Sequence, residues 1–226
     1  MLDQLIINGV SSLDYGASVA ERKISKPTKK SIKETVPHSN ATYDFSAING
    51  ELYWNERILE YALEVMADTP QKLSEMLIAL CSWLMNVAGA EIVDPFIDDY
   101  HFTNCTYEDM DTDDDESGEK TTLTVKFTAY PYLVADNARA YQAIVPANTE
   151  KVLTVVNESC HLLTPTIETD GAVSIGFKST EYTIGTAGTY TEEEIKMSVG
   201  VNDFTLTNTT DADVTVTVSF HEEVFI

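Results

Sequence analysis

Eight carboxylates surround one glycine in "YEDMDTDDDESGEKTTL", residues 107–123. Asp113, Asp115, Ser117 and Gly118 fall at the spacing of the first half of a calcium-binding loop. That loop closes on a bidentate carboxylate at its twelfth position, which here is Thr124, inside a strand-like run. The flanks, "HFTNCTYEDM" and "EKTTLTVKF", read as strands where the calcium motif needs helices. Ser117-Gly118 therefore reads as the tip of a solvated hairpin, with weak millimolar cation binding over 109–119 and no specific metal site.

Other candidate chemistry is sparse. His38, His101, His161 and His221 are scattered, with no H-E-x-x-H, and in a strand the adjacent Cys160 and His161 point to opposite faces. Cys81, Cys105 and Cys160 cannot all pair and form no C-x-x-C, which fits a reducing compartment and no disulfide framework. Ser174 in "GAVSIG" has the wrong glycine spacing for a nucleophile elbow, and no phosphate loop is present. The sequence thus assigns no catalytic residue, no metal site and no cofactor, and reads as a non-enzyme. Trp, Tyr and Arg are the commonest interface anchors, which singles out Tyr53, Trp54 and Arg57 in "ELYWNERILEY". Trp54 is equally at home in a core, while Arg57 is expected at a surface or interface.

The elements that must carry these residues are mostly strands. Thr69-Pro70 starts a helix, Leu73, Leu77, Leu80, Leu84 and Val87 give it an apolar stripe, and Gly89 stops it. The spacing predicts a core helix over about 70–88. Asn8-Gly9 between apolar runs marks a hairpin. "ERILEYALEVM" alternates loosely and is read as strand, and "TTLTVKFTAYPYLV" as a strand ending near Pro131. From about 134 onward, short alternating segments separated by "TDG" and "TAG" turns predict an all-β sandwich.

Charge is unevenly spread. The formal net charge is -23, which argues against binding nucleic acid through phosphate neutralisation. Residues 1–90 carry 8 basic and 11 acidic side chains, residues 91–226 carry 6 and 26. Much of the basic charge sits in "ERKISKPTKKSIKE", residues 21–34, read as an exposed arm that contains Lys26, Lys29 and Lys30. "MLDQLIINGV" lacks the pattern of a secretory signal, and the longest apolar run, Met76 to Ala90, is too short to span a bilayer, so no membrane is expected.

The order of these features resembles the distal tail proteins of long, non-contractile-tailed bacteriophages. "LIINGVSSLDYGASV" resembles the family's opening hairpin and its Ser-x-x-Tyr-Gly element, here Ser12, Tyr15 and Gly16. "ETVPHSNATYDFSAINGELYWNERILEYALEV" resembles the following block, although "PHSNATYD" lacks the Gly-rich turn usual after its proline. "TPQKLSEMLIALCSWLMN" is similar to the family's single helix, and "LTVKFTAYPYLV" to the closing strand of its first domain. The motifs cover roughly residues 1–134, and the remainder matches only in being all-β.

The resemblance implies a mainly β fold (β-rich α+β), with an N-terminal ring-forming β domain with one helix over 1–133. A C-terminal β-sandwich, galectin-like or carbohydrate-module-like, follows over 134–226. It implies a virion structural protein of a phage or prophage, a baseplate hub at the tail tip, assembled in the bacterial cytoplasm. There a homo-hexamer would join the tail tube protein to tail-tip or tail-associated proteins, with a tape-measure or receptor-binding protein as further partners and DNA only passing through the channel. Lys26, Lys29, Lys30, Tyr53, Trp54 and Arg57 are then the candidate interface residues. The competing reading is a carbohydrate-binding module or adhesin. Against it, the C-terminal half has no Trp and offers only Tyr141, Phe177, Tyr182, Tyr190 and Phe204 as candidate sugar platforms.

Overall fold

The computed structural model describes residues 3–35, 40, 42–47, 52–115 and 119–226. Pro37, His38, Ser39 and Ala41 of "PHSNATYD" and the Ser117-Gly118 tip lie outside them. The chain divides into two compact units, one of Met1–Val134 with Phe225–Ile226, the other of Ala135–Val224. The fold is mainly β, with one α-helix among the described residues.

The first unit contains β1 (Ile6–Ile7), β2 (Val10–Ser11), β3 (Ala17–Ile24), β4 (Lys33–Thr35), β5 (Thr42–Asp44), β6 (Arg57–Met66), α1 (Pro70–Met85), β7 (Ala90–Val93), β8 (Tyr100–Asp114) and β9 (Lys120–Ala129). The division between units falls within β10 (Leu133–Ala135). Seven strands hydrogen-bond in the order β2-β1-β7-β8-β9-β6-β3, while β4 and β5 pair as a separate ribbon. The Asn8-Gly9 turn has φ of 48° and 79°, the left-handed pair that a two-residue hairpin needs, and Ile7 pairs with Val10 across it.

β6 settles the loosely alternating run as strand. Arg57, Leu59, Tyr61, Leu63 and Val65 are buried in strict alternation, and β9 answers with Leu123, Val125, Phe127 and Ala129. The helix begins at Pro70, with the Thr69 hydroxyl accepting from the Lys72 N–H, and ends at Met85. It is not a core helix on all sides. Leu73, Leu80 and Leu84 are buried, but Ile78 is 72% exposed and Met85 57%, because α1 lies on the sheet by one face only.

The Ser-x-x-Tyr-Gly element joins the hairpin to this helix. The Ser12 hydroxyl, fully buried, accepts from the Leu5 N–H at 3.1 Å, and Tyr15 stacks on Trp83 with ring centroids 4.7 Å apart. Gly16 has φ of 72°, and a Cβ there would stand 2.1 Å from the Met76 Cε. The left-handed backbone favours glycine, and any side chain there would also have to displace the Met76 methyl.

The second unit contains β11 (Arg139–Val145), β12 (Glu150–Asn157), β13 (Thr166–Thr169), β14 (Val173–Phe177), β15 (Thr180–Ile184), β16 (Gly188–Thr191), β17 (Gly200–Thr207), β18 (Val214–Phe220) and β19 (Glu223–Val224). Two four-stranded sheets, β11-β18-β13-β16 and β12-β17-β14-β15, enclose one core. Val145, Ile167, Val216 and Val218 from the first sheet meet Val155, Ile175, Phe177, Phe204 and Leu206 from the second, the sandwich expected from alternation. Three buried asparagines fasten its loops. Asn208, for instance, donates to Val145, Pro146 and Ala212 carbonyls and accepts from the Thr210 N–H.

Candidate functional site

The basic arm is anchored, not free. Glu21–Ile24 belong to β3 and pair with β6, so the loop expected over 21–34 begins only at Ser25. From there the chain runs beside residues 53–55. Asn55 N–H donates to the Thr28 carbonyl and Lys30 N–H to the Tyr53 carbonyl, both at 2.8 Å, with Lys29 and Trp54 forming a β-bridge between them. Further along, Ile32 N–H donates to the Ser46 hydroxyl and Phe45 N–H to the Ile32 carbonyl. Two hydrogen bonds from Ser46 hold the Asp44 carboxyl below its ordinary range, with Lys33 and Lys29 adding to the effect.

This ribbon carries five of the six candidate interface residues. Lys26, Lys29, Lys30 and Tyr53 are exposed, together with the apolar Ile32, Tyr43, Phe45 and Leu52. Trp54 is half-buried, edge-on to Phe225 at 4.9 Å. Arg57 departs from the expected surface position. It is only 1% exposed, because it falls on the inward phase of β6. Its guanidinium lies 5.6 Å from the centroid of the Phe102 ring, and none of its three nitrogens has a hydrogen-bond partner among the described residues. Burial pulls its pKa below the ordinary value.

A second polar centre had no signal in the sequence. Asp94, just after β7, is buried. Its carboxylate pairs with Arg22 and accepts from the Tyr61 hydroxyl at 2.9 Å and the Phe96 N–H at 2.8 Å. The Arg22 guanidinium also lies 4.7 Å from the Phe96 ring centroid. Burial, and then the Asp94 charge, push the Tyr61 hydroxyl well above its usual range.

Cys105 is buried on β8, and burial pushes its thiol from 9.0 to about 12. The unfolded chain therefore loses this proton at lower pH than the folded one does. Stability is intact below pH 9 and falls by up to about 1.4 kcal/mol per pH unit between 9 and 12. Cys105→Ala should flatten that slope in urea titrations at pH 8 and pH 11, leaving the smaller decline that Tyr61 adds above its own unfolded value.

Among the described residues no three His, Cys, Asp or Glu side chains form a group able to hold a metal ion. Asp113 and Asp115 are exposed near the ends of β8 and β9. In the second unit Phe177 and Phe204 stack within the core at 4.7 Å, and Tyr141, Tyr182 and Tyr190 pack half-buried against it. The aromatics that a sugar platform would need are thus committed to packing.

No protein-family model matches the sequence, and no curated protein matches it. Solved structures do match. The crystal structure of the SPP1 Dit protein, described as a paradigm of the hub adsorption apparatus in phages infecting Gram-positive bacteria, aligns with a TM-score of 0.68 and 16% identity. The alignment covers 96% of this chain and 98% of that one. Two structures of the phage P2 baseplate in its activated conformation, with calcium and with strontium, align at a TM-score of 0.40. Their identities are 8% and 7%, over 96% and 95% of this chain and 98% and 97% of theirs. Over nearly its whole length, then, the chain has the fold of the SPP1 Dit protein.

Proposed function

We propose that the protein is a structural hub of a phage tail tip, a distal tail protein that closes head-to-tail into a homo-hexameric ring. The ring joins the tail tube to the tip or baseplate proteins and lets DNA pass through its centre. The observation that carries this reading is the shared fold with the SPP1 Dit protein, which extends through both units. An acidic chain supports the passage of DNA, since a surface of net charge -23 repels phosphates instead of holding them.

The first unit makes the ring, and the ribbon with Lys26, Lys29, Lys30, Tyr53 and Trp54, backed by Arg57, lies in the contact between copies. The role is architectural, not enzymatic, and the location is the virion tail tip after assembly in the bacterial cytoplasm. Tail tube and tail-tip proteins are the axial neighbours, with tape-measure and receptor-binding proteins as further partners.

Native mass spectrometry and negative-stain imaging of the purified chain test this. The expected result is a six-fold multiple of the 25.0 kDa chain and particles with six-fold symmetry. A strictly monomeric species at every concentration and salt would overturn it.

A further inference from the structure

Six basic residues and no acidic one occupy positions 22–33, in a chain with 14 basic residues altogether, whereas residues 108–115 contain six carboxylates and no basic residue. The strand register sets Lys26–Lys30 beyond the Arg57 end of β6, while the acidic segment runs from Asp109, level with Glu60, to Asp114, level with Val65 near the other end. Ser25 N–H donates to the Ile58 carbonyl and Lys29 bridges Trp54, next to the Arg57 end. At the other end Met66 pairs with Lys120, whose carbonyl accepts from the Asp115 N–H. Ten residues of strand separate the ends by roughly 30 Å. That is several Debye lengths at physiological salt, so Lys26, Lys29 and Lys30 cannot neutralise Asp113 and Asp114 at the far end within a single chain.

Each patch is also presented outward. Lys26, Lys29 and Lys30 are exposed and make no ion pair with a described residue. Asp109, Asp111 and Asp113 alternate along β8 and so share one face, opposite Lys126, Thr124 and Thr122 of β9. Among the described residues that face holds two basic groups on β9, Lys126, 3.8 Å from Asp109, and Lys120, paired with Glu64. Over Asp109–Asp114 β8 pairs with β9, whereas its pairing with β7 lies at Phe102–Cys105.

Resting on the hub reading above, we infer that the acidic end of the β8–β9 hairpin of one copy docks on the lysine ribbon of the next. The two complementary patches fit a head-to-tail contact, the kind that closes a ring, whereas a two-fold contact pairing the same patches would stop at a dimer. Charge then sets the order and direction of assembly, while the apolar Ile32 and Tyr43 on the same ribbon supply buried area.

A charge-swap experiment on the full chain decides the matter, read by sedimentation velocity at about 0.05 M and about 0.5 M salt. One variant carries Lys26→Glu, Lys29→Glu and Lys30→Glu, a second Asp109→Lys, Asp111→Lys and Asp113→Lys, and a third all six changes. Circular dichroism and thermal melting confirm folding, which these exposed positions should leave unchanged.

The expected result is that each triple variant self-associates at least about tenfold more weakly, that the six-fold variant recovers assembly, and that salt weakens the wild type. Assembly that survives either triple change, or that the six-fold variant fails to recover, overturns the docking and leaves the hub reading standing. A wild type that stays monomeric at low salt overturns both.

Discussion

Replacing Arg22 with methionine should cost the first unit about 3–5 kcal/mol, a fall of roughly 10–20 °C in its melting temperature. Arg22 keeps part of its side chain in water, but its partner Asp94 is fully enclosed. Removing the arginine therefore strands a carboxylate whose remaining partners among the described residues are the Tyr61 hydroxyl and the Phe96 N–H. Asp94→Asn should cost less, because the amide oxygen still accepts and the stranded guanidinium can reach solvent. The double variant should recover part of the loss, since a neutral side chain at 94 no longer needs a counter-charge. Equal melting temperatures for Arg22→Met and wild type at pH 7 would mean the pair contributes nothing. The size of the effect follows from topology, since these three residues tie β3, β6 and the end of β7 together across the sheet.

That centre illustrates what the sequence could and could not disclose. Arg22 and Asp94 are 72 positions apart, and no local spacing links a basic residue in a lysine-rich run to an aspartate in "VDPF". Period-two burial, by contrast, was legible throughout, and it correctly made "ERILEYALEVM" a strand and the last ninety residues a sandwich. The acidic hairpin was equally readable as paired strands, from β-branched residues and the lack of a twelfth calcium ligand.

Three departures come from letting residue type outweigh position. "MLIALCSWLM" is apolar all round and so read as a core helix, yet a helix resting on a sheet buries one face whatever its composition. The basic arm read as loop from residue 21, but strand pairing is made by main-chain groups. An edge strand tolerates outward charges such as Glu21 and Lys23. Arg57 was placed at a surface for its chemistry, although it stands in phase with Leu59, Tyr61, Leu63 and Val65. The alternation alone carried the signal that it points inward.

Arg57→Met should stabilise the isolated chain, raising its unfolding free energy by about 1–4 kcal/mol. The guanidinium is withdrawn from water, and its nitrogens find no acceptor among the described residues. The Phe102 ring returns about 0.5–2 kcal/mol through its π face, less than the several kcal/mol that removing an ion from water costs. Methionine fills a similar volume, has no polar hydrogen to satisfy and bends to an irregular site, so it keeps the packing and removes the penalty. Arg57→Ala should instead destabilise, because the space left beside Phe102 and Ala129 cannot collapse fully in a paired strand. Chemical denaturation of the two variants separates the contributions of charge and volume. A loss of stability in Arg57→Met equal to that in Arg57→Ala would show that the guanidinium is satisfied in solution. A gain in the monomer accompanied by weaker ring formation would identify Arg57 as a charge retained for the neighbouring copy, destabilising alone and useful only in the assembly.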